Sequence, residues 1–364
     1  MISFLLNTFI FASTSITTNT NCTWNYRFDS TNNHFNIVYP DKNAVYFGMI
    51  IPPGTSNFTI ASDNTQFTNL NIPVPVHPIA SYFSLQVYNS NDIVTSEYHY
   101  TDIDLLTLDG LTNVSTPYKQ TIMLETEEPY FALFRIYNSP FAFTHWDMYW
   151  SGLPPKTYLD GVEYRACDID YEQQGNIYTN ISNSVRSDTG TVCMNNEEFI
   201  FMEAPPGSLM NCDANYMIAC IKPNTSYRIS IKMPRLSCSN GYNQHQPKPW
   251  INQQNDYDMR YVSLSLVATT APRPTVETIS IPCDVDHNHY ETTIHVGNET
   301  QFPGLLYRQL LPNPEFKYSI ENAKQKCYDH VDSKYDVICI QKQMGKYYPK
   351  LERVDDYLRK NDAL

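Results

Sequence analysis

The densest run of side chains with ligand chemistry in this chain is Cys283-Asp-Val-Asp-His-Asn-His289. In an extended segment alternate side chains share a face, so His287 and His289 fall on one side and Asp284 and Asp286 on the other, with His295 further along. Paired imidazoles beside a carboxylate could hold a divalent metal. The spacing fixes no third ligand, and a solvated strand end, which explains the same residues, is the preferred reading; no other cofactor is implied. His145-Trp146-Asp147 with the acids Asp102, Asp104, Glu125, Glu127 and Glu128 could supply a glycosidase-like carboxylate pair, but nothing in the sequence sets its separation. No Ser-His-Asp order, phosphate loop or nucleophile motif is recognisable, so no catalytic residue is nominated.

Two arginines stand out because they recur. Arg135 lies in Leu133-Phe-Arg135 and Arg308 in Leu306-Tyr-Arg308, each inside an apolar run where a charge is costly unless it is bonded. A structural arginine is the first reading and a ligand anchor the second.

The elements around them repeat too. Asn43-Ala-Val-Tyr-Phe-Gly-Met-Ile-Ile-Pro-Pro-Gly-Thr-Ser56 aligns without a gap on Asp213-Ala-Asn-Tyr-Met-Ile-Ala-Cys-Ile-Lys-Pro-Asn-Thr-Ser226, with Ala44, Tyr46, Ile51, Pro53, Thr55 and Ser56 identical in both. Tyr82-Phe-Ser-Leu85 over Tyr261-Val-Ser-Leu264 and Thr121-Ile122 over Thr293-Ile294 follow in the same order, with the small drift in spacing that loop insertions produce. Pro53-Gly54 and Pro223-Asn224 predict a type II turn in each copy, since Gly and Asn tolerate the positive φ its second central residue needs. With apolar, β-rich runs on either side, both copies are expected to be hairpins.

Further strands are expected at Tyr82–Tyr88, Thr121–Glu125, Tyr130–Tyr137, Phe199–Met202, Tyr227–Lys232, Tyr261–Ala268 and Tyr290–Val296, separated by clusters of Asn, Pro, Ser and Gly. The fold class is therefore all-β, mainly antiparallel: two tandem β-sandwich or jelly-roll-like domains, 19–165 and 166–318, with a helical C-terminal tail, 319–364. In that tail Ser319 opens one helix, and Tyr348-Pro349 is expected to open another through Lys350-Leu-Glu-Arg353 and onward.

Compartment signals agree with one another. The apolar run Ile2–Ala12, followed by small residues, resembles a secretory signal over 1–18. Asn21, Asn57, Asn113, Asn180, Asn224 and Asn298 each open an Asn-x-Ser/Thr acceptor. The 9 cysteines include no CxxC pair and would mostly form disulfides in an oxidising compartment. Cys167–Cys193, Cys212–Cys220 and Cys327–Cys339 are the local pairings expected. A net charge of −13 argues against nucleic-acid binding, which favours a basic face, and no stretch beyond the leader reaches transmembrane length.

Pro40-Asp41-Lys-Asn-Ala-Val-Tyr46, the Pro-Pro-Gly turn, Tyr82-Phe-Ser-Leu-Gln-Val-Tyr88, Phe134-Arg-Ile-Tyr137 with Gly152-Leu-Pro154-Pro155, Asp258-Met-Arg-Tyr-Val-Ser-Leu264, Pro282-Cys-Asp284 and Leu306-Tyr-Arg-Gln-Leu-Leu-Pro312 together resemble a large family of exported, mainly bacterial proteins of unassigned function, DUF1214 and DUF1254. The resemblance implies two β-sandwich lobes and export, and brings no catalytic residues.

The function expected is that of a secreted or surface glycoprotein acting as a binding or structural module, with carbohydrate or another surface protein as partner. Its 28 Tyr and 4 Trp supply aromatic surface for such a role, and the Asn-rich composition would suit a virion protein of an AT-rich genome. A glycan-acting hydrolase or metal-dependent enzyme using a cleft between the lobes is the alternative.

Overall fold

A computed structural model describes residues 22–29, 44–61, 82–89, 94–99, 119–125, 127–137, 154–168, 197–201, 211, 213–235, 258–268, 275–279, 289–298, 303–329 and 334–354. The expected leader, Asn21, Asn113, Asn180, Cys193, Cys212, Asp284, Asp286 and His287 lie outside the described residues. The chain forms two compact units, one built mainly from its first half and the other from its second.

Among its described residues the first unit contains strands and no helix. One sheet has the order β2 (Tyr26–Asp29), β3 (Ala44–Ile51), β8 (Tyr130–Tyr137), β5 (Tyr82–Tyr88), β6 (Val94–His99), and every pairing in it is antiparallel. The other has the order β1 (Cys22–Thr23), β10 (Val162–Ala166), β9 (Lys156–Leu159), β4 (Asn57–Ala61), β7 (Lys119–Met123), with β1 parallel to β10. Alternate residues from both sheets, among them Phe47, Met49, Leu85, Val87, Phe134, Phe58, Ile60 and Ile122, bury one shared core. Trp24 plugs it. Its positive φ of 56° lies where the chain leaves β1 for β2 in the opposite sheet. Its indole Nε1 donates to Thr157 Oγ1 at 2.7 Å and to Pro155 O at 3.0 Å.

The second unit repeats the plan. Its larger sheet runs β11 (Ile200–Phe201), β12 (Ala214–Cys220), β17 (Pro303–Pro312), β14 (Met259–Ala268), β15 (Thr275–Ile279). The strand order of β2-β3-β8-β5-β6 thus recurs in the same chain sequence. Opposite it stands β16 (Tyr290–Val296), β13 (Thr225–Ile231), β20 (Lys350–Arg353), with β20 where β9 stands beside β4. Tyr46 faces Arg135 across β3 and β8, and Tyr216 faces Arg308 across β12 and β17. The halves are copies of one unit.

The proline turns have the expected conformation and a different job. Gly54 has φ 83° and Asn224 φ 54°, and Thr55 N–H closes the first turn on Pro52 O at 3.3 Å. Neither turn makes a hairpin. β3 pairs with β2 and β8 while β4 pairs with β7 and β9, so the turn carries the chain from one sheet to the facing one, and β12 and β13 do the same. The reason is burial: β3 is buried at nearly every position and needs a partner strand on each side, leaving no edge for the strand after the turn.

The C-terminal segment also differs from expectation. The helix opening at Ser319 forms as α1 (Ile320–Cys327), with Asn322 N–H donating to Ser319 Oγ at 3.1 Å. A short antiparallel pair, β18 (Tyr328–Asp329) and β19 (Lys334–Tyr335), leads to the second helix, α2 (Val337–Met344), capped by Asp336, whose side chain accepts from Ile338 N–H. Lys350–Arg353, expected to be the first turn of a helix, is the strand β20; Val354 is helical, and the residues after it lie outside the described ones. Proline disfavours helical backbone at the residue before it, and Tyr348 is accordingly extended. β13 then offers Leu351 hydrogen-bond partners and a place against the core. Ile320, Ala323, Ile340, Met344 and Tyr348 complete that same core, so the tail is part of the second unit.

Two disulfides are described. Cys327–Cys339 is the expected pair and links α1 to α2. Cys167 bonds to Cys22 and not to Cys193, because β1 runs beside β10 and brings the two sulfurs together. Cys220 is also disulfide-bonded.

Candidate functional site

The recurrent arginines are nearly inaccessible, Arg135 at 2% and Arg308 at 1%. Arg135 sits on the sheet face opposite the apolar core. Its Nη1 donates to Gln86 Oε1, and its Nη2 donates to Tyr88 OH at 2.8 Å. Tyr88 OH in turn donates to Gln86 Oε1 at 2.8 Å, and Gln86 Nε2 donates to Asn211 Oδ1 at 3.3 Å. The guanidinium lies over Tyr46 and Tyr88 at 5.8 and 5.9 Å from the ring centroids, and Arg308 lies over Tyr216 at 5.4 Å. Ser84 and Ser263 occupy the next strand in register with the two arginines, and their buried hydroxyls find no hydrogen-bond partner among the described residues. A desolvated network of this kind fixes neighbouring strands relative to one another.

Of the metal set, only His289 falls within the described residues, exposed at the start of β16 and bonded to Ser230 Oγ at 2.6 Å. His295 does likewise with Ser226 Oγ at 3.0 Å. Among the described residues no three His, Cys, Asp or Glu side chains are grouped to hold a metal ion. Glu125, Glu127 and Glu128 are exposed outside any strand. Of the glycan acceptors, Asn57 is half-buried at the start of β4, whereas Asn224 and Asn298 are exposed and touch, Asn224 Nδ2 donating to Asn298 Oδ1 at 3.3 Å.

A third cluster has the geometry of a binding surface. Tyr318, just before α1, and Tyr347, just after α2, stack with centroids 5.3 Å apart and planes at 29°. Phe316 braces Tyr347 edge-on at 5.0 Å. Three ammonium groups border the rings: Lys317 Nζ lies 5.1 Å from the Tyr318 centroid, and Lys346 and Lys232 Nζ lie 5.7 and 5.9 Å from that of Tyr347. None of the three is within ion-pair distance of a carboxylate among the described residues, whereas neighbouring Arg235 is held by Asp258 at 3.0 Å. The Lys346 ammonium, within hydrogen-bond reach, pushes the Lys232 amine below its ordinary value. Burial, and then the Asp258 charge, push the Tyr347 phenol up.

Local structure explains the convergence. In an antiparallel helix pair the start of one helix lies beside the end of the other, and Cys327–Cys339 locks that pairing at the opposite end. Gly345, at φ 54°, closes α2 by donating to Gln341 O and turns the chain into a single 3₁₀ turn, Gly345–Tyr347, that carries Lys346 and Tyr347 back to Tyr318. Gln309 fixes the other side: its Oε1 accepts from Ile320 N–H at 2.8 Å, and its Nε2 donates to the buried Tyr307 OH at 3.1 Å. Burial pushes the Tyr307 phenol up to about 12, so it stays neutral. Strand and helix periodicity do not point to this cluster. The nearest sequence signal is a Lys-Tyr pair at 317–318 and 346–347 flanking two cysteines, though Lys334-Tyr335 between those cysteines carries the same pair.

No family model and no curated protein matches the chain. Among solved structures it is similar to a protein of Burkholderia cenocepacia described as uncharacterised, at 8% identity over 85% of this chain and 84% of that one, with a TM-score of 0.44. It is also similar to a Vibrio parahaemolyticus protein at 8% identity over 97% and 98% of the two chains, with a TM-score of 0.35. Likeness at this level says nothing about activity.

Proposed function

We propose that this chain is an exported binding module, built from two copies of a β-sandwich, whose ligand surface is the Tyr318–Tyr347 stack and its bordering lysines. The observation that carries the reading is three ammonium groups gathered on an aromatic platform, none within ion-pair distance of a carboxylate among the described residues. Like charges held together cost free energy in the free protein, and a ligand relieves that cost. Described disulfides are compatible with an extracellular setting, and no helix among the described residues is long and apolar enough to cross a membrane. Membership of the exported DUF1214 and DUF1254 families, glycosylation at Asn224 or Asn298, and a place on a virion belong to the same proposal; the ordered motifs and the repeated strand order support the first.

Screening the full chain against immobilised glycans and surface proteins tests it. Binding by the parent protein that is lost in Tyr347→Ala is expected. Absence of any binding, or binding that Tyr347→Ala leaves intact, overturns the assignment of the surface.

A further inference from the structure

Resting on that reading, we infer that the platform takes an acidic saccharide, its sulfate or carboxylate groups bridging Lys232 and Lys346 while a sugar ring lies along the tyrosines. The argument is one of charge and size. The whole chain carries −13, so an extended polyanion would be repelled beyond the immediate site, while a short chain with one or two anionic groups meets only the local positive field. The cations come from three separated places, the residue following β13, the entry to α1 and the exit from α2, and the αα-hairpin disulfide holds the last two in register. A pre-positioned cluster spends little entropy on binding. Lys232 and Lys346 each lie over one face region of the same tyrosine ring, close enough to perturb one another. One anionic oxygen set between two such ammoniums accepts a charge-assisted hydrogen bond from each and removes their repulsion. Tyr318 and Tyr347 are half-buried and carry apolar ring surface with a hydroxyl at its edge, the pairing of features that suits a sugar with its C–H face and hydroxyls.

Calorimetric titration of the full chain distinguishes the outcomes, using a chondroitin sulfate disaccharide with one sulfate and one uronate, its desulfated but still uronate-bearing counterpart, the neutral disaccharide maltose and a short oligothymidylate of equal charge. The two acidic saccharides are expected to bind, with affinity falling as salt rises, and the neutral one and the oligothymidylate are not. Lys232→Ala and Lys346→Ala should each weaken binding by about tenfold, the usual scale for one charge-assisted bond, while Lys156→Ala, on the first unit, leaves it unchanged. Circular dichroism melts of each variant confirm that the fold is retained. Equal binding of the neutral saccharide, unaffected by the lysine variants but lost in Tyr347→Ala, overturns the acidic ligand and leaves the binding module standing. Binding of oligothymidylate as tightly as the sulfated disaccharide overturns the saccharide in favour of a general anion site. If none of the four binds, the acidic-saccharide inference falls; the platform's role as a binding surface is then decided by the glycan and protein screen.

Discussion

At the scale of single residues, the two registered triads Tyr46–Arg135–Ser84 and Tyr216–Arg308–Ser263 show how a charge survives inside a sheet. The arginines were legible as structural because an apolar run rarely carries a cation without a bonded role. Their serine neighbours were not legible, since a hydroxyl in a strand gives no sign of which face it joins. A buried hydroxyl without a partner costs about 1–3 kcal/mol in desolvation. Ser84→Ala and Ser263→Ala are therefore expected to stabilise the protein or leave it unchanged, read as the midpoint of urea unfolding; a clear loss of stability would show that the hydroxyls are bonded. Glu197 gives a pH prediction. It pairs with Arg353 of β20 and with Lys222 at 3.3 Å, and the Arg353 guanidinium holds its carboxyl below the ordinary value of 4.5. The unfolded chain binds the proton more readily, so the stabilisation is present above that ordinary value and is lost as pH falls through the depressed folded one. The pair is partly exposed and screened by solvent, so the contribution is small. Melting of the parent and of Glu197→Gln should differ at neutral pH and converge at low pH; a constant difference would assign the effect to packing.

At the scale of elements, the chain displays its strands well and their partners poorly. Val45–Ile51 and Tyr130–Tyr137 read as strands from composition alone, and both are, but the same apolar continuity that marks them also decides that they are central strands, which local sequence cannot express. Hence a turn with the right φ angles was expected to close a hairpin and instead crosses between sheets. Lys350–Arg353 differs in the opposite direction: its apolar spacing fits the start of a helix, and the open side of β13 overrides it. The crossing turns remain testable as turns. Gly54 has open space around a hypothetical Cβ, so Gly54→Ala introduces backbone strain without a clash and should cost about 1 kcal/mol. Asn224→Gly, which imposes on the second copy the residue of the first, should cost nothing. Matched losses at both sites would mean that φ is not what these residues supply.

At the scale of the whole molecule, duplication was the most legible property, because a repeated motif set needs no knowledge of pairing, and the strand order of the two units bears it out. The candidate site was the least legible, because it lies outside the repeated motifs, on the αα-hairpin between β17 and β20 in the second unit. The disulfides divide along the same line. Cys22–Cys167 spans 145 residues and staples the first unit's β1 to its β10, whereas Cys327–Cys339 spans 12 and staples the hairpin. Loop-closure entropy makes the long link worth about 5 kcal/mol and the short one about 3 kcal/mol to the folded state. Serine replacement of both members of each pair should therefore separate stability from binding. The Cys22/Cys167 variant loses hydrogen-exchange protection at Leu85 and Val87 and keeps ligand affinity. The Cys327/Cys339 variant is hurt less in protection but loses affinity, because Tyr318 and Tyr347 are no longer held in register. Equal loss of affinity in both, or none in the second, would detach the platform from the hairpin that carries Tyr318 and Tyr347.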